Sequence, residues 1–213
     1  MGGALAAKPS QKIAADDAIT IDDPAAGYVS RSALKLIAGL DRFGYSADGR
    51  VALDLGASTG GFTQVLLQCG ARKVFAVDVG HGQLDPSLAA DPRVVSREGL
   101  NARDLVAADV GEPVSAIVAD VSFISLRLVL PPALALAAAD AWGVFLVKPQ
   151  FEVGPKNIGK GGIVRDPALA ERCAADIARW LGDELGWRVD GIIPSPIEGG
   201  DGNREFLIGA RRG

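Results

Sequence analysis

The sequence predicts an α/β fold: a mostly parallel seven-stranded sheet with helices on both faces and an antiparallel last strand. Three observations carry this expectation. Short apolar runs of buried-strand length alternate with amphipathic segments of helical period, the pattern of strands joined by crossover helices. The first of these runs feeds a glycine-rich turn that opens a helix. The last two runs are separated only by the loop EGGDG, too short for a parallel crossover, so they pair antiparallel or lie apart.

In chain order, Ser30 is placed as the N-cap of a first helix with Leu34, Ile37 and Leu40 on one face and Gly44 past its end. VALDL (51–55) is a short buried strand, followed by ASTGG and a helix from Phe62 to Gln68 that Gly70 stops. KVFAVDV (73–79), VVSRE (94–98), SAIVADVSF (115–123) and GVFLVKP (143–149) are the second to fifth strands. Leu126 to Ala139 reads as a helix with Pro131-Pro132 in its first turns. Asp166-Pro167 opens the clearest helix, running to about Leu185, with proline in the first turn where an N–H is not needed. WRVDGIIPSPI (187–197) and NREFLIGARR (203–212) are the closing strands.

Composition narrows the chemistry. The 213 residues are 48% hydrophobic and 23% charged, values of an ordinary globular chain rather than a disordered one. A formal net charge of −4 argues against coating nucleic acid by bulk charge, but leaves a local basic patch open. Two cysteines, Cys69 and Cys173, and one histidine, His81, give neither a zinc-ligand spacing nor a disulfide framework. Both cysteines are expected as small buried apolar residues, and no metal site and a reducing cytoplasm are expected. The stretch Leu128–Val147 has the length of a membrane span, but Pro131-Pro132, Asp140 and Gly143 break it into a helix-like and a strand-like half. The first residues lack the basic-then-apolar pattern of a secretory signal.

The glycine-rich turn Asp54-Leu55-Gly56-Ala57-Ser58-Thr59-Gly60-Gly61-Phe62 lacks the Lys-Ser/Thr of a P-loop and the G-x-G-x-x-G spacing of dinucleotide folds. Asp-x-Gly-x-x-x-Gly-Gly suits a nucleoside with an amino-acid tail packed on the turn. Asp78, 22 residues after Gly56, closes the second strand where a carboxylate can accept hydrogen bonds from both ribose hydroxyls. Together they point to S-adenosylmethionine, with Asp54 near the methionine moiety and Leu100, Asn101 and Ala102 near the adenine. The fold expectation thereby becomes a Rossmann-like, class I S-adenosylmethionine-dependent methyltransferase.

Four charged residues stand at or facing strand ends, where open α/β sheets place their chemistry. Asp120 and Lys148 each end an apolar run, Glu205 lies in the last strand, and Lys35 sits among Leu34, Leu36 and Ile37 on the first helix. Taken singly, each also fits a snorkelling lysine or a surface carboxylate.

The blocks YVSRSALKL (28–36), LDLGASTGGFTQVLL (53–67), ADVSFISL (119–126), LVKPQFEVG (146–154), GKGGIVRDP (159–167) and GNREFL (202–207) resemble the methyltransferase region of the TlyA family. That family comprises bacterial proteins called hemolysin A and ribosomal RNA 2′-O-methyltransferases; the blocks are more distantly similar to FtsJ-type ribose methyltransferases. The resemblance implies 2′-O-methylation of ribosomal RNA, at a cytidine of the small or large subunit or both. It also implies a catalytic Lys-Asp-Lys-Glu tetrad at Lys35, Asp120, Lys148 and Glu205. Lys148 would take the hydroxyl proton or, if it stays charged, orient the hydroxyl; Asp120 would orient Lys148 and also stand beside the cofactor methyl, and Lys35 and Glu205 would hold substrate and network. Residues 1–27 resemble the end of an alpha-L RNA-binding module plus linker, leaving 28–213 as the methyltransferase domain. Arg31, Lys156, Lys160, Arg165 and Arg204, with Arg211 and Arg212, are expected around the mouth of the site as RNA contacts. No membrane partner is expected, and the oligomeric state stays open. Competing readings are a membrane-active hemolysin, a methyltransferase of a small molecule or protein, and an inactive RNA-binding scaffold.

Overall fold

The computed structural model describes residues 23–200 and 202–213. Most of the segment read as a module remnant lies outside these residues. Seven strands, β1 (Val51–Leu55), β2 (Lys73–Asp78), β3 (Val94–Glu98), β4 (Val114–Ala119), β5 (Ala137–Val147), β6 (Trp187–Pro194) and β7 (Phe206–Arg212), form one sheet in the order β3-β2-β1-β4-β5-β7-β6. Strands β1 to β5 pair in parallel, whereas β7 runs antiparallel to both β5 and β6. The expected mixed sheet is therefore the observed one.

Helices α1 (Ala33–Phe43), α2 (Gly61–Gln68) and α3 (Pro86–Ala89) cover one face; α4 (Ala107–Val110), α5 (Leu126–Ala135) and α6 (Pro167–Asp183) cover the other. The period of two along each strand sorts its side chains between two cores. Leu53, Ile117, Phe145 and Ile208 face the α4–α6 side. Val118, Leu146 and Leu207 face the α1–α3 side. Continuing that alternation sends Asp120, Lys148 and Glu205, each two residues from one of the latter three, toward α1 and α2. Three polar side chains thus reach one face because three strands end in step.

Several boundaries differ from expectation. The first helix begins at Ala33 with Ser32 at its cap, two residues later than Ser30, whose hydroxyl instead accepts from the Ser32 N–H at 3.2 Å. The Ala-rich segment after Leu136 is strand rather than helix. Ala137 pairs with Val114, and the Val114 N–H donates to the Leu136 carbonyl at 3.0 Å, so sheet pairing overrides the helical propensity of alanine. The 20-residue apolar stretch is therefore divided near Leu136. Among the described residues no helix is long and apolar enough to cross a membrane. Cys173 is buried in α6 as expected, whereas Cys69 is exposed at the C-terminal end of α2.

Candidate active site

The carboxyl ends of β1, β2 and β4 enclose a cleft of about 950 Å³, within the range of small-molecule sites. Its floor is the turn after β1. Gly56 has φ +79°, and a Cβ there would lie 2.6 Å from the Asp120 carbonyl oxygen, so only glycine lets the ends of β1 and β4 approach this closely. Ser58 holds a left-handed φ of 48°, an uncommon state for a residue with a side chain. Its N–H donates to Asp78 Oδ2 at 2.8 Å, while Asp78 Oδ1 accepts from the Gly80 N–H at 2.7 Å. One carboxylate at the end of β2 thereby orders both the glycine turn and the loop after β2.

That loop is braced a second time. Glu98, ending β3, accepts from the N–H groups of Gly82, Gln83 and Leu84 at 2.7, 2.9 and 3.2 Å, which hold its carboxyl below the usual range. The Ser58 hydroxyl donates to Gln83 Oε1 at 3.2 Å. Gln83, Asn101 and Arg103 join Asp78 in the cleft lining, opposite an apolar wall that includes Val121, Ile124 and Leu128. Gln83 and Arg103 escaped sequence reasoning because neither ends a strand or belongs to a recognisable motif.

A second cavity of about 160 Å³ adjoins the first and shares Gly56, Ser58, Asp120 and Ser122 with it. Ser30, Ser32, Ala57, Thr59, Phe62 and Lys148 complete its lining. Here Lys148 Nζ lies 2.6 Å from Asp120 Oδ1 and donates to the Ser122 hydroxyl at 2.8 Å. Deeper in the protein, Lys35 Nζ pairs with Glu205 Oε2 at 2.6 Å, both side chains buried. The four tetrad positions thus form two ion pairs, one lining the second cavity and one behind the α1 face. Glu205 sits one residue before β7 rather than within it.

Other expected residues behave differently. Asp54 is fully buried and lines neither cavity; its Oδ2 accepts from the Thr63 hydroxyl at 2.7 Å, and its Oδ1 has no hydrogen-bond partner. Burial pushes its pKa up to about 7, with the Thr63 hydrogen bond opposing and the charge of Asp120 adding. Its side chain, expected near the methionine moiety, is thus turned toward Thr63 of α2 and away from both cavity linings. Gly60 and Gly61 serve packing: a Cβ on Gly60 would meet Leu88 Cδ1 at 2.3 Å, and one on Gly61 would meet Ser32 Oγ at 2.2 Å. Asn101 lines the cleft as expected, but Ala102 is buried and Leu100 packs against the same core.

Arg31, Lys156, Lys160, Arg165 and Arg204 are all exposed, and none lines either cavity. Arg204 reaches Glu171 at 3.4 Å. Arg211 lies in β7, pairs with Asp190 at 2.6 Å and stacks over Tyr45, while Arg212 donates to the Ala137 carbonyl. These last two are committed to the sheet, contrary to the expectation that they ring the mouth.

The cleft fits S-adenosylmethionine. The Asp78 carboxylate and Asn101 line it beside the Gly56 turn, and its volume accommodates a nucleoside with a tail. Comparison with known proteins agrees. Residues 28–212 match the FtsJ-like methyltransferase family. The chain is 48% identical over 210 residues to the 16S/23S rRNA (cytidine-2'-O)-methyltransferase TlyA of Mycobacterium tuberculosis, covering 98% of this chain and 78% of that protein. It is 43% identical over 182 residues to Hemolysin A of Brachyspira hyodysenteriae, covering 84% of this chain and 75% of that protein. A hemolysin-named protein of Lactococcus lactis superposes with a TM-score of 0.84 at 43% identity, over 87% of this chain and 89% of that one.

Proposed function

Because the chain belongs to the FtsJ-like methyltransferase family, on its TlyA branch, we propose that it transfers a methyl group from S-adenosylmethionine to a cytidine ribose 2′-hydroxyl of ribosomal RNA. The observation that carries this reading is the junction of the two cavities at Asp120 and Ser122, with Lys148 on the smaller side. A cofactor in the larger cleft and a ribose in the smaller cavity would meet there.

The cofactor supplies an activated sulfonium methyl, so the protein's task is chiefly alignment. Asp78 and Asn101 would hold the nucleoside, and the turn from Gly56 to Thr59 would face the tail. Lys148, having released its ammonium proton to solvent, would meet the 2′-hydroxyl as the neutral amine and accept its proton as the oxygen–carbon bond forms and the carbon–sulfur bond breaks. Asp120 and Ser122 fix Nζ from two directions, which sets the angle of that hydrogen bond. Lys35 and Glu205 neutralise one another in the interior and anchor α1, whose N-terminal serines wall the substrate side.

Lys148→Ala is expected to lower methyl transfer to ribosomal subunits by about 100-fold or more, as loss of a proton acceptor does. Cofactor affinity by isothermal titration should change less than about threefold, roughly a fraction of a kcal/mol. Near-normal turnover in this variant would overturn the assignment.

A further inference from the structure

The loop from β4 to α5 carries Asp120 and Ser122, and it is strained. Phe123 has φ +63° and is 90% exposed, its ring resting on Phe151 with centroids 5.0 Å apart. A bulky residue in the left-handed region persists only where its surroundings hold it. A ring stacked at the surface on the half-buried Phe151 is a weak restraint, and the contacts of Lys148 to Asp120 and Ser122 are the parts to be held in place.

The stronger restraint is the half-buried Glu152, four residues after Lys148. Its Oε1 accepts from the Leu126 N–H at 2.7 Å, and its Oε2 accepts from the Ser125 hydroxyl. Ser125 Oγ in turn accepts from the Arg127 N–H at 3.1 Å and so caps α5. Glu152 itself is tied back toward Lys148, since its N–H donates to the Pro149 carbonyl at 3.0 Å. The side chain therefore links the segment that follows β5 to the far end of the strained loop. Nothing in methyl transfer calls for this carboxylate, and burial pushes it up from its usual range despite its two donors and Arg127.

We propose that Glu152 is a positioning residue for methyl transfer: it clasps the β4–α5 loop to the end of β5, so that Asp120 and Ser122 stay aligned with Lys148. The inference rests on the methyltransferase reading only for its kinetic consequence; the clasp is a property of the two loops.

Glu152→Ala, Glu152→Gln and Ser125→Ala should be compared with the parent protein, each at least 20 °C below its own melting temperature. Amide exchange at residues 121–127 should quicken about tenfold or more in Glu152→Ala. Its kcat per cofactor-binding site should fall by a similar factor. Glu152→Gln keeps an oxygen for the Leu126 N–H and should restore most of both. Adding Ser125→Ala to Glu152→Ala should cost less than Ser125→Ala costs alone, because the Ser125–Glu152 hydrogen bond is already gone and only the cap on the Arg127 N–H is left to lose.

Unchanged exchange in the loop overturns the clasp. Unchanged kcat per site, or multiplicative losses in the double variant, reduces Glu152 to a merely structural role and equally overturns it. Should Glu152→Ala not fold, Glu152→Gln and Ser125→Ala decide by the same readouts: Ser125→Ala must quicken exchange and lose turnover, and Glu152→Gln must do neither. A parent protein that methylates no RNA would contradict the proposed function while leaving the exchange result to judge the clasp.

Discussion

Asp54 shows how much a single residue's surroundings matter. Its place in the glycine-turn motif suggests cofactor contact, yet its side chain points into the α1–α3 core beside Thr63. Strand alternation could have revealed this, because Ala52 and Asp54 share a face and Ala52 is core. A carboxyl raised to about 7 binds a proton in the folded state that the unfolded chain has released, from about pH 4 upward. Its contribution is thus full below about pH 4 and is lost as pH rises toward 7. Asp54→Asn, which keeps an acceptor for Thr63, escapes that loss. Its stability advantage over the parent should grow from pH 4 to 7 and level off at about 2–4 kcal/mol. Urea denaturation across pH 5 to 8.5 measures this, and a gap that does not change with pH would contradict it. Of the four residues expected as a tetrad, Asp120 and Lys148 were legible singly as charges ending apolar runs, and Glu205 and Lys35 only as charges within a strand and a helix. Their division into two pairs was not, since pairing depends on which helix covers which strand.

At the scale of elements, regular strands were readable to within a few residues, and irregular connections were not. VVSRE became β3 unchanged, a five-residue segment opened by two valines between Pro92 and Gly99. Ala137–Ala139 went to the sheet instead of a helix, because the partner strand, absent from any local window, decided it. The loop after β2 also lay beyond local signals: Glu98 organises it from fifteen or so residues away in sequence. Glu98→Ala should raise the KM for S-adenosylmethionine by about five- to tenfold with little change in kcat, the pattern of lost uniform binding. A fall in kcat at unchanged KM would contradict that placement. Gly56→Ala must push back the Asp120 carbonyl and strain a φ of +79°. Cofactor affinity by titration should weaken by about tenfold or more, roughly 1.4 kcal/mol, and an unaltered affinity would show that the two strand ends need not touch.

For the whole molecule, the net charge of −4 coexists with a set of exposed cations in the connecting loops. Arg31, Lys156, Lys160 and Arg165 form no ion pair or side-chain hydrogen bond among the described residues, and are therefore the candidates for phosphate contact. RNA affinity should fall steeply with salt, and Lys160→Ala should reduce the logarithmic salt slope by about 0.7–0.9, the share of one phosphate. An affinity indifferent to salt would contradict an electrostatic interface. Fold class and cofactor were legible from alternation, the glycine turn and Asp78, whereas Arg211 and Arg212, expected as RNA contacts, proved to be held in the sheet. The most direct test of the central claim is nucleoside mass spectrometry of ribosomal RNA after incubation of unmethylated subunits with the protein and S-adenosylmethionine, alongside Lys148→Ala. The account predicts 2′-O-methylcytidine that depends on Lys148; a base-methylated nucleoside, or no new methylation at all, would contradict it.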